Sequence, residues 1–359
     1  MILKKYQSYL LKLFLKSFIL ITIVFFCIVI IINIFEEVRF AEKYSTETYY
    51  TIYLSLLNTP SIIFELFPFI FLISTQLFFI TLFNNNELGI FKYSGLKNSK
   101  IILILSTISF ILGLLIITIF YNFSSNLKNF YLNLKTSYTS DGKYLAVINK
   151  NGLWIKDIVN ENTLLINASK IEKNFIVDAY ISEFDKNFKI IKNIISPKVD
   201  VKNKNWIAYN SEVLIENEKK NYETFEINTN FDYHIIQNLF SNLSSLTFFQ
   251  LVELRKNYKQ LNYSIIDVDL HLLKLFSFPL YLSLMAVFAS IIMLNTKHFK
   301  SSILKISIGL FFSVIIYYLN NFFNVMGQTE KINLIISVIT PLILLSLINL
   351  FMMKEINEK

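Results

Sequence analysis

Chemically reactive features are scarce in this 359-residue chain. Its single cysteine, Cys27, cannot form an intrachain disulfide, so any extracytoplasmic part must fold by burial alone. The seven glycines are scattered and no Gly-x-x-x-x-Gly-Lys sequence occurs, which excludes a phosphate-cradling loop. His234, His271 and His298 stand apart from one another, with no cysteine or carboxylate at metal-ligand spacing. His271 does lie near Asp267 and Asp269, where a hydrated interfacial cluster is favoured over a metal or proton role. No serine or cysteine sits in a nucleophile elbow. The pattern speaks against an enzyme and calls for no cofactor or metal.

What the chain has instead is long apolar runs without charge, at residues 17–35, 66–83, 101–127, 275–296, 306–329 and 332–353. Each is near the ~20 residues with which an α-helix crosses a bilayer core. Hydrophobic residues make up 54% of the chain and include 35 Phe, more than a soluble core of this size could hide. The first run is too long for a signal-peptide core and no small-residue cleavage site follows it, so it reads as a retained anchor. The expectation is an α-helical membrane protein with six transmembrane helices, arranged three plus three around a polar block.

The net charge of +8 could suggest a nucleic-acid partner, but the lysines gather at span edges. Lys4, Lys5, Lys12 and Lys16 precede the first span, Lys92, Lys97 and Lys100 separate the second and third, and Lys297, Lys300 and Lys305 separate the fourth and fifth. By the positive-inside rule all three segments are cytoplasmic, which puts both termini inside and the polar block outside. Glu36, Glu37, Glu42 and Glu47 dominate the first outer loop. Within the spans charge is rare. Glu65, between Pro60 and Pro68, reads as an interfacial carboxylate, so ion-coupled transport has little support.

The domain division expected is an N-terminal transmembrane half at 1–127, an extracytoplasmic all-β domain at 128–266 and a C-terminal transmembrane half at 267–359. Residues 175–184 and 206–215 mix β-branched and aromatic residues with polar ones, as half-buried strands do. Turn-like breaks fall at Asp141-Gly142, Asn151-Gly152, Asp185-Lys-Asn187, Asn203-Lys-Asn205 and Asn217-Glu218. About seven or eight strands at this spacing suggest an antiparallel sandwich or open barrel, with either a closed core or an apolar groove. Strict alternation would place Phe175, Val177, Ala179 and Ile181 on one face of one strand, and Ile207, Tyr209 and Val213 on a face of another. Thr247-Phe-Phe-Gln250 has capping-box spacing and opens an amphipathic helix at about 247–260, with Phe248, Leu251, Val252 and Leu254 as its apolar side.

Between the second and third spans, a cytoplasmic helix at about 84–97 begins at Glu87, carries Leu88 and Phe91 on one side and ends at Gly95. It is either a plain helical hairpin connection or a docking helix. Its length, and its combination of an acidic residue with exposed apolar ones, favour docking of a cytoplasmic partner.

At this elbow the chain resembles the lipopolysaccharide export permeases LptF and LptG. The resemblance rests on Glu87-Leu88 through Gly95 to Ser99, Ile34-Phe-Glu-Glu-Val-Arg39, the proline pair Pro60 and Pro68, Pro279-Leu280, Asn151-Gly-Leu-Trp-Ile-Lys-Asp157 and Tyr180-Ile-Ser-Glu-Phe-Asp185 followed by Trp206. The last two look more like LptG than LptF. The resemblance covers nearly the whole chain. It implies a multi-pass permease of the inner membrane of a Gram-negative cell, without its own ATPase, that extracts lipopolysaccharide. It would pair with an LptF-type permease, dock an LptB-type ATPase dimer that hydrolyses the ATP, and hand lipid to LptC- and LptA-type periplasmic bridge proteins. Glu87, Leu88, Phe91 and Gly95 would couple to the ATPase. Arg39 and Lys43 would meet lipid phosphates, while Asn33 and Phe40 stand where the family has further basic residues. The β-domain would be a jellyroll with an apolar lipid groove lined by Phe175, Val177, Ala179, Ile181, Ile207, Tyr209 and Val213. An LptF-type subunit, and a membrane scaffold that binds an envelope protein and moves nothing, are the alternatives.

Overall fold

The computed structural model describes residues 4–44, 47–138, 153–172, 174–215, 218–233, 235–236, 242–260, 263–296 and 301–358. The turns expected at Asp141-Gly142 and Asn151-Gly152 lie outside them. Two compact units result: Met1–Leu127 with Ile266–Lys359, and Lys128–Ile265 between.

The first unit is helical. It contains α1 (Lys5–Tyr44), α2 (Thr48–Asn84), the short α3 (Glu87–Tyr93) and α4 (Asn98–Leu115). A π-helical turn at Ile116–Tyr121 joins α4 to α5 (Asn122–Tyr138). Among the described residues six helices are long and apolar enough to cross a membrane: Lys5–Tyr44, Tyr49–Asn84, Asn98–Lys135, Ile266–Asn295, Ser302–Gln328 and Leu334–Lys354. The last three belong to α7 (Ile266–Asn295), α8 (Ser302–Gln328) and α9 (Leu334–Glu358). α1 has 40 residues, about 60 Å at 1.5 Å per residue, so it must project beyond a hydrocarbon core ~30 Å thick.

α2 and α7 form the centre. Their most apolar stretches are 61% and 67% buried, against 11% for α1 and 17% for α8, which therefore present apolar side chains outward. Between helices in lipid, hydrophobicity gives little drive, so small residues and polar contacts must hold them. Gly113 on α4 serves that end: a Cβ there would stand 2.7 Å from the Pro279 Cα of α7. The Ser106 and Ser283 hydroxyls meet at 2.8 Å across the same pair. Gln76 of α2 donates to the Lys305 carbonyl of α8 at 2.9 Å, and Asn349 of α9 to the Leu284 carbonyl of α7 at 3.1 Å. Pro60, Pro68, Pro279 and Pro341 all lie inside helices, which a membrane bundle tolerates because neighbours compensate the lost backbone bonds.

The second unit is an antiparallel sheet. Its strands are β1 (Leu153–Val159), β2 (Asn162–Ala168), β3 (Lys170–Glu172), β4 (Phe175–Phe184), β5 (Ile190–Asp200), β6 (Asn205–Ile215) and β7 (Glu218–Asn228), in the order β1-β2-β4-β5-β6-β7 with β3 beside β4. The β4–β5 connection follows local chemistry. Asp185 Oδ1 accepts from the backbone N–H groups of Asn187 and Lys189, both at 2.8 Å, an Asx turn. After the sheet, α6 (Phe248–Gln260) opens with the expected box, Gln250 Oε1 accepting from Thr247 N at 2.8 Å. Leu251 and Leu254 are buried, but Val252 is exposed, so it does not share their face.

The interior of the sheet corrects the strict alternation. Asp178 and Asn210 adopt left-handed φ values of 53° and 47°, which asparagine and aspartate tolerate better than other side chains. Pro197 lies between them across the ladder, flanked by the pairs Ala179↔Ser196 and Lys198↔Tyr209. Register is unchanged on both sides of this line, yet facing inverts: Ala179, Ile181, Ile194 and Val213 are buried on one side of it, and Ile176, Val199 and Ala208 on the other. Phe175, Val177, Ile207 and Tyr209 consequently lie on the opposite face from Ala179, Ile181 and Val213. The Ser196 hydroxyl satisfies the crease, within 2.7 Å of the Tyr209 carbonyl and 2.9 Å of that of Lys198.

The sheet also coils enough for the chain leaving β7 to reach β1. Register from Asp157 runs through Leu164, Glu183 and Lys192 to the β7 residues near Lys219. Asp157 instead bonds Asn230, just past the other end of β7, so the chain leaving the open sheet returns to β1 although β1 and β7 do not pair. Asp157 Oδ2 accepts from Asn230 N and Oδ1 from Asn230 Nδ2, each at 2.8 Å, while Nδ2 also reaches the Ile158 carbonyl at 2.9 Å. The Tyr263 hydroxyl engages both backbone groups of Lys156, so the outer edge of β1 is covered. Burial first, with the nearby Asp157 carboxylate, raises the Tyr263 phenol above its ordinary pKa and keeps it a donor. β7 pairs only with β6 among the described residues, and its residues 218–224 are exposed.

Candidate functional site

Three places carry the candidate residues. At the elbow, α3 begins at Glu87, whose Oε1 accepts from the Tyr9 hydroxyl at 2.7 Å and from Asn85 Nδ2 at 3.0 Å. Its Oε2 has no hydrogen-bond partner among the described residues. Gly95, at φ 79°, terminates the helix. Leu96 N bonds the Phe91 carbonyl and Gly95 N the Lys92 carbonyl, both at 2.9 Å, which is the paired bonding of a Schellman cap.

The apolar side of α3 differs from the expected docking face. Leu88 is buried, and Phe91 packs with Leu96 and Tyr6 against the helical core. Their role is to fasten the elbow to the bundle. The residues that α3 shows to solvent are Ile90, Lys92 and Tyr93, with Ile90 61% and Tyr93 95% exposed, beside the half-buried Glu87. No periodicity could have selected them, because a seven-residue helix spans only two turns. The Tyr9 contact was equally illegible, since 78 positions separate it from Glu87.

On α1, Arg39 and Lys43 are both exposed and one turn apart, so they share a face. Lys43 Nζ lies 5.2 Å from the Tyr44 ring centre. Asn33, Glu37 and Phe40 form the buried face of the same stretch. Asn33 donates to Thr59 Oγ1 at 3.1 Å and accepts from Asn58 Nδ2 at 3.5 Å, both on α2. Asn33 thus packs against α2, and Phe40 is buried on the same face of α1.

In the β-domain, Ala179, Ile181 and Val213 are interior and at most 1% exposed. Phe175 and Val177 are half-buried on the outer face, where Lys198 Nζ lies 3.9 Å above the Phe175 ring. Ile207 and Tyr209 are likewise half-buried there. Among the described residues no group of three or more His, Cys, Asp or Glu could hold a metal ion.

No curated protein matches the chain. The family model for the lipopolysaccharide export system permease LptF/LptG matches residues 8–355. Six membrane-spanning helices, an antiparallel β-domain inserted between the third and fourth, and that nearly full-length match together identify the chain as a member of the LptF/LptG lipopolysaccharide export permease family.

Proposed function

We propose that this chain is the LptG-type permease subunit of an inner-membrane ABC transporter, with both termini cytoplasmic and the β-domain periplasmic. The observation that carries this reading is the elbow, a rigidly capped helix offering a carboxylate with Ile90 and Tyr93 exposed beside it. A separate ATPase of LptB type would dock there. The chain has no phosphate-cradling loop of its own, and family membership supplies the transport context. The outward apolar faces of α1 and α8 suit a second, LptF-type permease. The exposed edge of β7 suits strand addition by LptC- and LptA-type bridge proteins, since an unpaired edge offers backbone donors and acceptors.

Lipopolysaccharide would enter with its phosphates against Arg39 and Lys43. A guanidinium can hold phosphate oxygens in pairs, where an ammonium acts as a point charge. Arg39→Ala is expected to reduce photocrosslinking of lipopolysaccharide to α1 about tenfold, a change of about 1.4 kcal/mol, and Lys43→Ala distinctly less. Equal crosslinking in wild type and both variants would put the headgroup elsewhere.

The acyl chains would pass through the interior of the β-domain. Photocrosslinkers placed singly at Ile181 and Val177 test this during ATP-driven transport. Lipid adducts are expected at Ile181 alone, because the crease at Asp178 turns Val177 outward. Adducts at Val177 and none at Ile181 would make the interior a sealed core and the domain a protein-docking module, as in the scaffold reading.

A further inference from the structure

A cleft of ≈ 270 Å³ opens among α2, α7, α8 and α9. It lies one to two turns inside the ends of α7, α8 and α9 remote from the elbow, where Lys274, Asn324 and Val338 sit 8, 4 and 4 residues from their helix ends. At 1.5 Å per residue this is about 6–12 Å in, the depth at which lipid headgroups give way to acyl chains. The volume is at the lower limit for small-molecule sites, too small for a glycolipid with several chains. It is separate from the exposed face carrying Arg39 and Lys43.

The lining is largely apolar but carries both signs of charge. Glu65 of α2 supplies a carboxylate and Lys274 of α7 an ammonium on which Glu65 and Asp267 act electrostatically. α8 adds three carboxamides, Asn320, Asn321 and Asn324. Asn324 is only 7% exposed and its Oδ1 has no hydrogen-bond donor among the described residues. A buried acceptor left without a donor is costly, so a guest that donates there is favoured. Phe278, Val338 and Leu342 provide an apolar wall.

From this we infer that the cleft binds the zwitterionic headgroup of an ethanolamine phospholipid, its ammonium donating to Glu65 and Asn324 Oδ1 and its phosphate held by Lys274 and the neighbouring carboxamides. Both charges of the guest then meet their complements, and the acyl chains leave along the apolar wall. A primary ammonium is required, because a quaternary one has no N–H to give Asn324. A headgroup lacking the amine would leave Glu65 facing a phosphate.

The full-length chain in detergent micelles, titrated with phosphatidylethanolamine, phosphatidylcholine or phosphatidylglycerol and read by native mass spectrometry, tests the assignment. Wild type is expected to retain phosphatidylethanolamine about tenfold better than the other two, the ratio for about 1.4 kcal/mol. Asn324→Leu and Glu65→Gln should each abolish that preference. Equal retention of the three lipids by wild type would overturn the proposal without recourse to any variant, as would variants that keep the preference. Competition with free phosphoethanolamine separates sources: displacement of the lipid assigns recognition to the headgroup, and no displacement combined with equal lipid retention assigns binding to acyl contact alone. None of these readouts depends on transport, so they stand or fall apart from the ATPase and bridge assignments.

Discussion

Glu87→Arg is expected to abolish copurification of the ATPase and ATP-driven export while leaving membrane insertion intact. In the native elbow, Oε1 is held by Tyr9 and Asn85 and Oε2 is enclosed with no hydrogen-bond partner among the described residues, so the carboxylate is fixed in orientation. Docking of a basic groove would use the charge of this oriented carboxylate. Reversing the charge removes the pair and sets two cations against each other, a loss of about 2–5 kcal/mol at an interface, or roughly thirtyfold or more in affinity. Insertion should be unaffected because the adjacent spans are Tyr49–Asn84 and Asn98–Lys135, which leave Glu87 outside both. Glu87→Gln, which keeps an acceptor oxygen for Tyr9, should fall between. Normal ATPase recovery and export in Glu87→Arg would show that α3 is only a hairpin connection.

The second large effect concerns the clasp of the β-domain. Asp157 is 1% exposed and accepts from Ile158 N, Asn230 N and Asn230 Nδ2. Asp157→Ala removes the charged acceptor shared by three donors of the exposed residues Ile158 and Asn230, and hydrogen bonds to an ionised group make the loss up to about 3 kcal/mol. Since β1 is held on its other side by β2 alone, the loss should appear as local opening of β1. Hydrogen exchange of the amides in Leu153–Val159 is expected to accelerate about a hundredfold, with those in β5 and β6 changed far less. Asn230→Ala should reproduce most of this. Unchanged exchange in β1 would mean that the coiled sheet is held by its interior packing and that the clasp is incidental.

These two sites show how differently sequence and tertiary structure contribute. The six spans were legible because an uncharged apolar run of that length has no other stable use, and a helix satisfies its own backbone in lipid. The elbow's beginning and end were legible too, since an acidic first turn and a left-handed glycine are local requirements. What faces what was not. Leu88 and Phe91 looked like a docking surface from their side chains alone, and only the packing of α3 on the bundle reveals them as its fastening, with Ile90 and Tyr93 outward. In the β-domain the strands at 175–184 and 206–215 followed from composition, but alternation assumes an unbroken extended backbone. The left-handed residues Asp178 and Asn210 break it, so Val177 and Tyr209 turn away from Ile181 and Val213. Asp157 was visible as part of a motif, without its partner. Asn230 lies 73 positions away, and the coiling that joins them depends on twist accumulated over six strands. Element type is thus a property of neighbouring residues, which the chain states openly, whereas facing and long-range contact arise from the summed geometry of many residues and exist only once the whole has folded.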